Sequence, residues 1–315
     1  MSTAPQLAPA WGIDIGRSSV KIVGPEGPLP LIPSAVAPAI PIDDPAEAAR
    51  AARDTVEVCG ASWWFGQTAV VQANAEPGLS PGFQHTREYE VLVAGSCARI
   101  DASRAVGVVA GLPSEASQAD RETVQELFLR YLPEGSRVSV VHQPAGVFFD
   151  EARRDPAIAK GNAIIVDVGR YSTDLAAVRE GRPVQSAWQS LPGVRFAVDR
   201  LREALRGVVQ GSPAFARLEQ ALLTGEISYN AQRTDVHEAV NAAKQALSAE
   251  VNRGVQALLA QLRGEVDVII LAGGGAELVD LANARRSTSG RMAVASGFAY
   301  LARQQFSRRG VGAAE

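Results

Sequence analysis

The strongest constraint in this sequence is a pattern that occurs twice, once near the start and once halfway along. The first copy is W-G-I-D-I-G-R-S-S-V-K-I-V, residues 11–23, and the second is A-I-I-V-D-V-G-R-Y-S-T-D-L-A-A-V, residues 163–178. Each copy predicts an apolar strand that ends in Asp-x-Gly, a small polar turn and a second apolar strand. Two hairpins of one design, each opening half of the chain, predict two related domains that face each other.

The remaining segments predict an α/β fold. Short apolar runs predict buried strands at 105–110, 138–141 and 266–271. Helical spacing and capping signals predict helices, and an interruption of the longest one near Gly254 is left open. These helices cover residues 117–132, 194–209, 213–223, 234–262 and 294–305. The third has Ser212 as its N-cap and Pro213 in its first turn. Residues 24–60 give no clear prediction.

Composition and the absence of certain motifs argue against several classes of protein. A net charge of −3 on 315 residues gives no reason to expect direct binding to nucleic acid. Cys59 and Cys97 lack the spacing of a zinc or redox motif, which favours a reducing compartment. No apolar run approaches the ~18 residues of a membrane span. Residues 1–10 do not resemble a secretory signal and are expected to form a loose tail, as are residues 308–315. We therefore expect a cytoplasmic protein without a membrane partner.

The first hairpin contains the residue types of a phosphate site. Gly16, Ser18 and Ser19 can turn backbone N–H groups toward one anion. Lys21 adds a positive charge for a phosphate, and Asp14 can hold a hydrated metal ion. The alternative interpretation is an ordinary hairpin with a polar turn and a surface lysine.

The second hairpin repeats this logic with Asp167, Gly169, Ser172, Thr173 and Asp174. Asp167 follows a buried strand, where an acid is costly unless it binds a cation or is fully hydrogen-bonded. Asp174 has an alternative interpretation as a structural acid that fixes the turn.

Two other segments are candidates for ligand contacts. Gly273, Gly274 and Gly275 follow the apolar run V-I-I-L, where glycines between a strand and a helix allow a flat ligand to approach the backbone. His142 and Gln143 leave a strand just before Pro144, a position from which a polar side chain can orient a water. A flexible turn and a capped helix N-terminus are the respective alternatives.

Together and in this order, the four elements resemble the signature of the actin, hexokinase and heat-shock chaperone ATPase superfamily. In that family the hairpins are the phosphate-1 and phosphate-2 loops, and the triple-glycine turn is the adenosine motif. Residues 143–147 and 294–300 resemble the two connecting helices at the hinge. The resemblance spans residues 11–306.

This resemblance implies an actin-like α/β fold, in which two related α/β domains surround a nucleotide cleft. Domain I would cover residues 11–162, with a C-terminal helix at 291–307 returning to it. Domain II would cover residues 163–290.

The resemblance also assigns roles by position. Asp14 and Asp167 would organise Mg²⁺ and its waters, and Gln143 would orient the attacking water. ATP, with GTP as the alternative nucleotide, would be bound by the remaining positions, which are Gly16, Arg17, Ser18, Ser19, Lys21, Gly169, Arg170, Tyr171, Ser172, Asp174, Gly273, Gly274, Gly275 and Glu277. Many relatives have small residues in place of Arg17, Arg170 and Tyr171, so these side chains either point outward or narrow the cleft.

Within the superfamily the chain most resembles the plasmid-segregation actins of the ParM/StbA type. The matching segments are G-L-P at 111–113, Y-E-V-L-V-A-G at 89–95 and S-L-P-G-V at 190–194. The resemblance implies a slow, polymerisation-stimulated ATPase that forms filaments and segregates plasmid DNA through a DNA-bound adaptor of the ParR type. One alternative is a non-polymerising nucleotide-binding scaffold of the pilus-assembly actin type. The other is a small-molecule kinase of the same fold, which would need an acidic general base that the sequence does not show beside Gln143.

Overall fold

In a computed structural model the chain divides into two compact units, Met1–Asp150 with Met292–Glu315, and Glu151–Arg291. The structure describes residues 9–78, 82–100, 102–209, 211–229 and 231–307. The predicted tails at 1–10 and 308–315 fall outside these residues except for Pro9 and Ala10, and Ala10 already belongs to the first strand. No helix within the described ranges is long and apolar enough to cross a membrane.

The described strands are β1 (Ala10–Ile15), β2 (Ser19–Gly24), β3 (Gly27–Pro28), β4 (Ile32–Pro33), β5 (Val36–Pro38), β6 (Thr55–Val58), β7 (Ala61–Phe65), β8 (Gly107–Leu112), β9 (Arg137–His142), β10 (Ala163–Val168), β11 (Ser172–Arg179), β12 (Arg182–Pro192), β13 (Glu226–Tyr229), β14 (Gln232–Asp235), β15 (Val268–Ala272) and β16 (Ala284–Arg286).

The described α-helices are α1 (Pro45–Ala52), α2 (Gln67–Ala73), α3 (Arg87–Arg99), α4 (Gln118–Tyr131), α5 (Gln143–Ala152), α6 (Pro156–Lys160), α7 (Val194–Ala204), α8 (Phe215–Thr224), α9 (His237–Gln261) and α10 (Ala293–Ser307).

The first unit is organised around the β1–β2 hairpin. Its main sheet has the order β3-β2-β1-β8-β9, and β5-β7-β6 form a smaller sheet. All six residues of β1 are buried, because β2 and β8 flank the strand while α3 and α10 pack on it. Gly12 permits the close approach of α10, since a methyl group there would lie 2.2 Å from the carbonyl oxygen of Ala295. The hairpin therefore lies at the buried centre of this unit.

The second unit repeats this design around the β10–β11 hairpin. Its sheet has the order β12-β11-β10-β15-β16, and β10 pairs antiparallel with β11 and parallel with β15. In the first unit β1 has the same relation to β2 and β8. The prediction of two related α/β units is confirmed.

Several local predictions were wrong. The helix predicted at 213–223 begins at Phe215, after an N-cap at Ala214 that makes no side-chain hydrogen bond, so Ser212 is not the cap. The helix predicted at 194–209 ends at Ala204, and the left-handed backbone of Gly207, φ +83°, follows it. Thr234 belongs to β14 rather than to the long helix.

The long helix α9 passes through Gly254 without interruption. Gly254 is buried, and a methyl group there would lie 2.5 Å from Leu191 Cδ1. This glycine therefore permits close packing of α9 on β12. Residues 24–60, which gave no prediction, contain β3, β4, β5, α1 and β6.

Candidate functional site

The turn of the first hairpin holds a sheltered ion pair. β1 and β2 pair so that Asp14 and Lys21 are direct cross-strand partners, and Lys21 Nζ lies 2.7 Å from Asp14 Oδ2. Asp14 is 2% exposed, and a buried carboxylate of this kind must be compensated by charge or hydrogen bonds. Gly16 leaves room for the ammonium group, because a methyl group there would lie 2.9 Å from Lys21 Nζ.

Gln143 completes this cluster from a distant part of the chain. Its Nε2 donates a hydrogen bond of 2.7 Å to Asp14 Oδ1, although the two residues are 129 positions apart. Gln143 begins α5 directly after β9, and β9 lies beside β8, which pairs with β1. The structure thus brings together the predicted metal ligand, the predicted phosphate lysine and the predicted water-orienting residue.

Sequence reasoning missed a residue that fixes the first turn. The hydroxyl of the buried Ser34 donates to the carbonyl oxygen of Gly16 at 2.5 Å. The backbone N–H of Ser34 donates to the carbonyl oxygen of Ser18 at 3.1 Å. Ser34 lies in the segment that gave no prediction. Its own neighbours carry no signal of this role, because the contact depends on tertiary structure.

The side chain of Arg17 packs on an aromatic pair of its own unit. Its guanidinium lies 5.0 Å from the centre of the Phe83 ring, and Phe83 meets Tyr89 edge to face at 5.3 Å. Cation–π contact with Phe83 therefore positions this guanidinium. The Tyr89 hydroxyl is buried without a hydrogen-bond partner among the described residues. Its burial, and then the charge of Asp14, raise the pKa of Tyr89 well above the ordinary value.

Replacing Tyr89 by phenylalanine is expected to leave the free energy of unfolding unchanged or to raise it by up to ~1 kcal/mol, because an unpaired buried hydroxyl only costs desolvation. Tyr131 is the matched control, since its hydroxyl donates to Glu90 at 2.9 Å, and Tyr131→Phe should lose ~1 kcal/mol. Urea denaturation of both variants measures the difference. An equal loss in the two variants would mean that the Tyr89 hydroxyl has a bound partner.

The second hairpin places two acids opposite each other. β10 and β11 pair so that Asp167 faces Asp174, and both residues are buried. Ser172 Oγ donates to Asp174 Oδ2 at 3.0 Å, and Thr173 Oγ1 donates to the carbonyl oxygen of Pro192, also at 3.0 Å. The contact from Ser172 favours the structural interpretation of Asp174.

The backbone of the second turn is fastened to the start of α7. Gly169 donates its N–H to the carbonyl oxygen of Ser172 at 2.9 Å, and the carbonyl oxygen of Gly169 accepts from Val194 N at 3.0 Å. The carbonyl oxygen of Arg170 accepts from Arg195 N at 2.8 Å. The turn is therefore braced by main-chain hydrogen bonds that do not depend on its side chains.

The bulky side chains of the second turn have partners within the second unit. Arg170 donates to both carboxylate oxygens of Glu219, at 3.1 and 2.5 Å, and its guanidinium lies 5.1 Å from the centre of the Phe215 ring. The guanidinium of Arg195 lies 5.8 Å from the centre of the Tyr171 ring. The side chain of Arg170 is thus directed toward α8.

The triple-glycine turn contacts the second hairpin. Gly273 has φ +93°, and a methyl group there would lie 2.4 Å from the carbonyl oxygen of Val168 and 2.5 Å from Asp167 Oδ1. Gly275 donates its N–H to the same carbonyl oxygen at 2.9 Å. Gly274 differs, because a methyl group there would have no atom within 4 Å. The turn is pressed against β10 at Gly273 and open at Gly274.

The expectation that a helix follows these glycines was wrong. A short 3-10 turn, Ala276–Leu278, leads into β16 instead. The carbonyl oxygen of Ala276 accepts from Arg286 Nη1 at 3.0 Å. Asp280 N donates to Ser248 Oγ at 2.9 Å, which ties the segment after the turn to α9. These tertiary hydrogen bonds take the place of a further helical turn.

A cavity of about 640 Å³ lies between α9 and this turn. Glu277, which was predicted to bind nucleotide, lines this cavity. The residues of α9 that also line it were not among the predicted site residues. Those on α9 include Asn241, Lys244, Gln245 and Ser248. Their spacing puts them on one face of the helix, so a polar stripe along a long helix is the sequence signal that could have revealed them.

No cluster of three or more potential His, Cys, Asp or Glu metal ligands occurs within the described ranges. Asp14 and Asp167 offer carboxylate oxygens, which suit Mg²⁺. Lys21 and Gln143 each contact one oxygen of Asp14, so both oxygens already have a partner in the protein. This carboxylate therefore fits a hydrated Mg²⁺ that is held through its waters.

Two units of one α/β design, each built around a hairpin with a buried Asp-x-Gly turn, are typical of the actin-like folds. Two family models match the chain. The first, described as the N-terminal domain of actin-like proteins, matches residues 12–146. The second, described as the C-terminal part of archaeal MreB-like actin homologues, matches residues 165–282. The chain belongs to the actin-like superfamily, which confirms the predicted resemblance.

Solved structures support the same fold. A 15-stranded ParM filament from Clostridium botulinum aligns with a TM-score of 0.78 and 16% identity, over 95% of this chain and 100% of that chain. The archaeal actin homologue Ta0583 in complex with ADP aligns with a TM-score of 0.73 and 19% identity, over 95% and 100%. A MamK double helical filament aligns with a TM-score of 0.73 and 19% identity, over 93% and 98%. No curated protein sequence matches the chain significantly.

Proposed function

We propose that this chain is an ATP-binding, slowly hydrolysing actin-like protein that assembles into filaments. The observation that carries the proposal is the cluster of Asp14, Lys21 and Gln143, which combines an acid, a cation and a neutral amide at the turn of a buried hairpin. These are the groups that Mg²⁺, a phosphate and an attacking water require.

The orientation of Gln143 supports a role in hydrolysis. Because Nε2 donates to Asp14, the carbonyl Oε1 of the same amide is left as the acceptor end of the side chain. An acceptor at this position can hold a water in line with a phosphate, but a neutral amide is a poor base. We therefore expect slow hydrolysis by the isolated chain, with assembly supplying further acceleration.

The proposed site for the nucleoside lies in the second unit. The cavity beside the triple-glycine turn has a volume within the usual range of ligand pockets, ~300–1,000 Å³. Lys244 and Gln245 supply hydrogen-bonding groups from α9, and Glu277 supplies a carboxylate near the open backbone at Gly274. When bound, Mg²⁺ would neutralise phosphate charge, and Asp14 is the carboxylate of the first hairpin that would hold its waters.

The proposals of filament formation and of plasmid segregation rest on similarity to other proteins. The similar structures include a ParM filament and a MamK filament, which supports self-association of this chain. The ParM-like segments at 111–113, 89–95 and 190–194 favour plasmid segregation through a DNA-bound ParR-type adaptor. Such filaments require a head-to-tail interface that does not close into a ring.

Light scattering recorded together with phosphate release tests this proposal. Adding Mg-ATP to the purified chain should raise scattering at once, and phosphate release should lag behind it. Gln143→Ala should slow phosphate release roughly a hundredfold and prolong the life of the polymer. Gln118→Ala, at an exposed position on α4, is the matched control and should behave as wild type.

The outcomes separate the candidate functions. Bound ATP without any rise in scattering would contradict the filament proposal and favour the nucleotide-binding scaffold. Phosphate transfer to an added sugar or carboxylic acid would favour the kinase.

A further inference from the structure

Arg170 lies in the second phosphate turn, yet a carboxylate on another helix holds its guanidinium. Both oxygens of Glu219 accept from it, at 3.1 and 2.5 Å, and the ring of Phe215 lies against it. The pair is partly sheltered, because the side chains of Arg170 and Glu219 are 10% and 25% exposed. A charge is thus built into the turn and neutralised within the same unit.

This pair is not needed to shape the backbone of the turn. Val194 N and Arg195 N bind the carbonyl oxygens of Gly169 and Arg170, and Gly169 N binds that of Ser172. These bonds form without the guanidinium. The side chain of Arg170 is therefore available for a role other than holding the turn together.

The chemistry of the guanidinium suits two anions equally well. Its planar fork of N–H donors binds a carboxylate or a phosphate through paired hydrogen bonds, and it keeps its charge at any physiological pH. A triphosphate bound at the turn would bring more negative charge to Arg170 than the single charge of Glu219. The Coulomb attraction between the triphosphate and Arg170 would then compete with the ion pair between Arg170 and Glu219.

We propose that Arg170 is a phosphate-binding residue that Glu219 holds in reserve, so that a bound triphosphate competes with Glu219 for the guanidinium. This inference rests on the proposed function, since it assumes that the turn receives phosphate. It goes further in naming Glu219 on α8 as a residue that limits triphosphate affinity. Because a diphosphate offers less charge, the competition favours ATP over ADP.

The proposal predicts effects of opposite sign for the two partners. Glu219→Gln keeps a hydrogen-bond acceptor but removes the competing charge, so it should tighten ATP binding roughly tenfold. Arg170→Ala removes the phosphate contact and leaves Glu219 unpaired near the turn, so it should weaken ATP binding roughly tenfold or more. A purely structural pair would instead make both substitutions weaken binding.

Equilibrium titration with ATP and with ADP, both with Mg²⁺, measures these effects on the full chain. Glu203→Gln is the matched control, because it makes the same kind of change in an exposed pair with Arg206 at the C-terminal end of α7 and should leave both affinities unchanged. Arg170→Lys provides a second variant that retains the charge without the fork and should lie between wild type and Arg170→Ala. A thermal melt of each variant checks that it is folded.

The results distinguish the inference from the function on which it rests. Tighter ATP binding by Glu219→Gln, with a smaller change for ADP, supports the competition. If the wild-type chain binds ATP and Glu219→Gln binds it equally or more weakly, the proposed competition by Glu219 is wrong. The proposal that the chain binds ATP would still stand. Wild type that binds neither nucleotide would overturn both.

Discussion

Replacing Gly273 by alanine is expected to lower the free energy of unfolding of the second unit by about 2–5 kcal/mol. The backbone there has φ +93°, which disfavours any residue with a Cβ. The new methyl group would also lie 2.4 Å from the carbonyl oxygen of Val168, a backbone atom that cannot rotate away. Urea denaturation, followed by circular dichroism, measures the loss.

The neighbouring glycine provides the control for this prediction. Gly274 lies outside the left-handed region, and a methyl group there would meet no atom within 4 Å. We expect Gly274→Ala to change the free energy of unfolding by less than ~1 kcal/mol. The same variant should weaken ATP binding, because its methyl group occupies the open side of the turn. An equal loss of stability at both positions would contradict the described turn.

Replacing Asp14 by asparagine is expected to abolish ATP-dependent assembly and to slow phosphate release by roughly a hundredfold or more. The substitution keeps the shape of the side chain but removes the charge that Lys21 faces and that a hydrated Mg²⁺ requires. It also leaves the largely buried Lys21 ammonium unpaired, so the free energy of unfolding should fall by about 2–4 kcal/mol.

Phosphate-release assays and urea denaturation measure the two effects of Asp14→Asn. The exposed Asp43 serves as the control, and Asp43→Asn should alter neither. Hydrolysis at the wild-type rate in a folded Asp14→Asn variant would remove Asp14 from the proposed site.

The sequence predicted best what lies close together along the chain. Asp14 and Lys21 are joined by one tight turn, so the Asp-x-Gly pattern alone was enough to suggest their proximity, and the register of β1 with β2 confirms it. The same holds for the second hairpin, which pairs Asp167 with Asp174. A hairpin can be recognised from its own sequence, because side chains alternate between the two faces of a strand with a period of two residues. A few residues are therefore enough to show the pattern.

The contacts that could not be predicted join distant segments. Ser34 fixes the first turn from a segment without a readable pattern, and Glu219 binds Arg170 from a helix 49 positions away. The helix predicted after the triple glycine is replaced by a 3-10 turn, because Arg286 binds the carbonyl oxygen of Ala276. Such outcomes depend on tertiary partners, which override local propensity.

We propose that ATP drives this chain into filaments. Electron microscopy of the negatively stained protein, with Mg-ATP and without nucleotide, tests it most directly, and Asp14→Asn serves as the inactive variant. We predict filaments of the wild-type chain with Mg-ATP, and single molecules both without nucleotide and for Asp14→Asn. Single molecules of the wild-type chain under both conditions, at a concentration where ATP is bound, would contradict the claim.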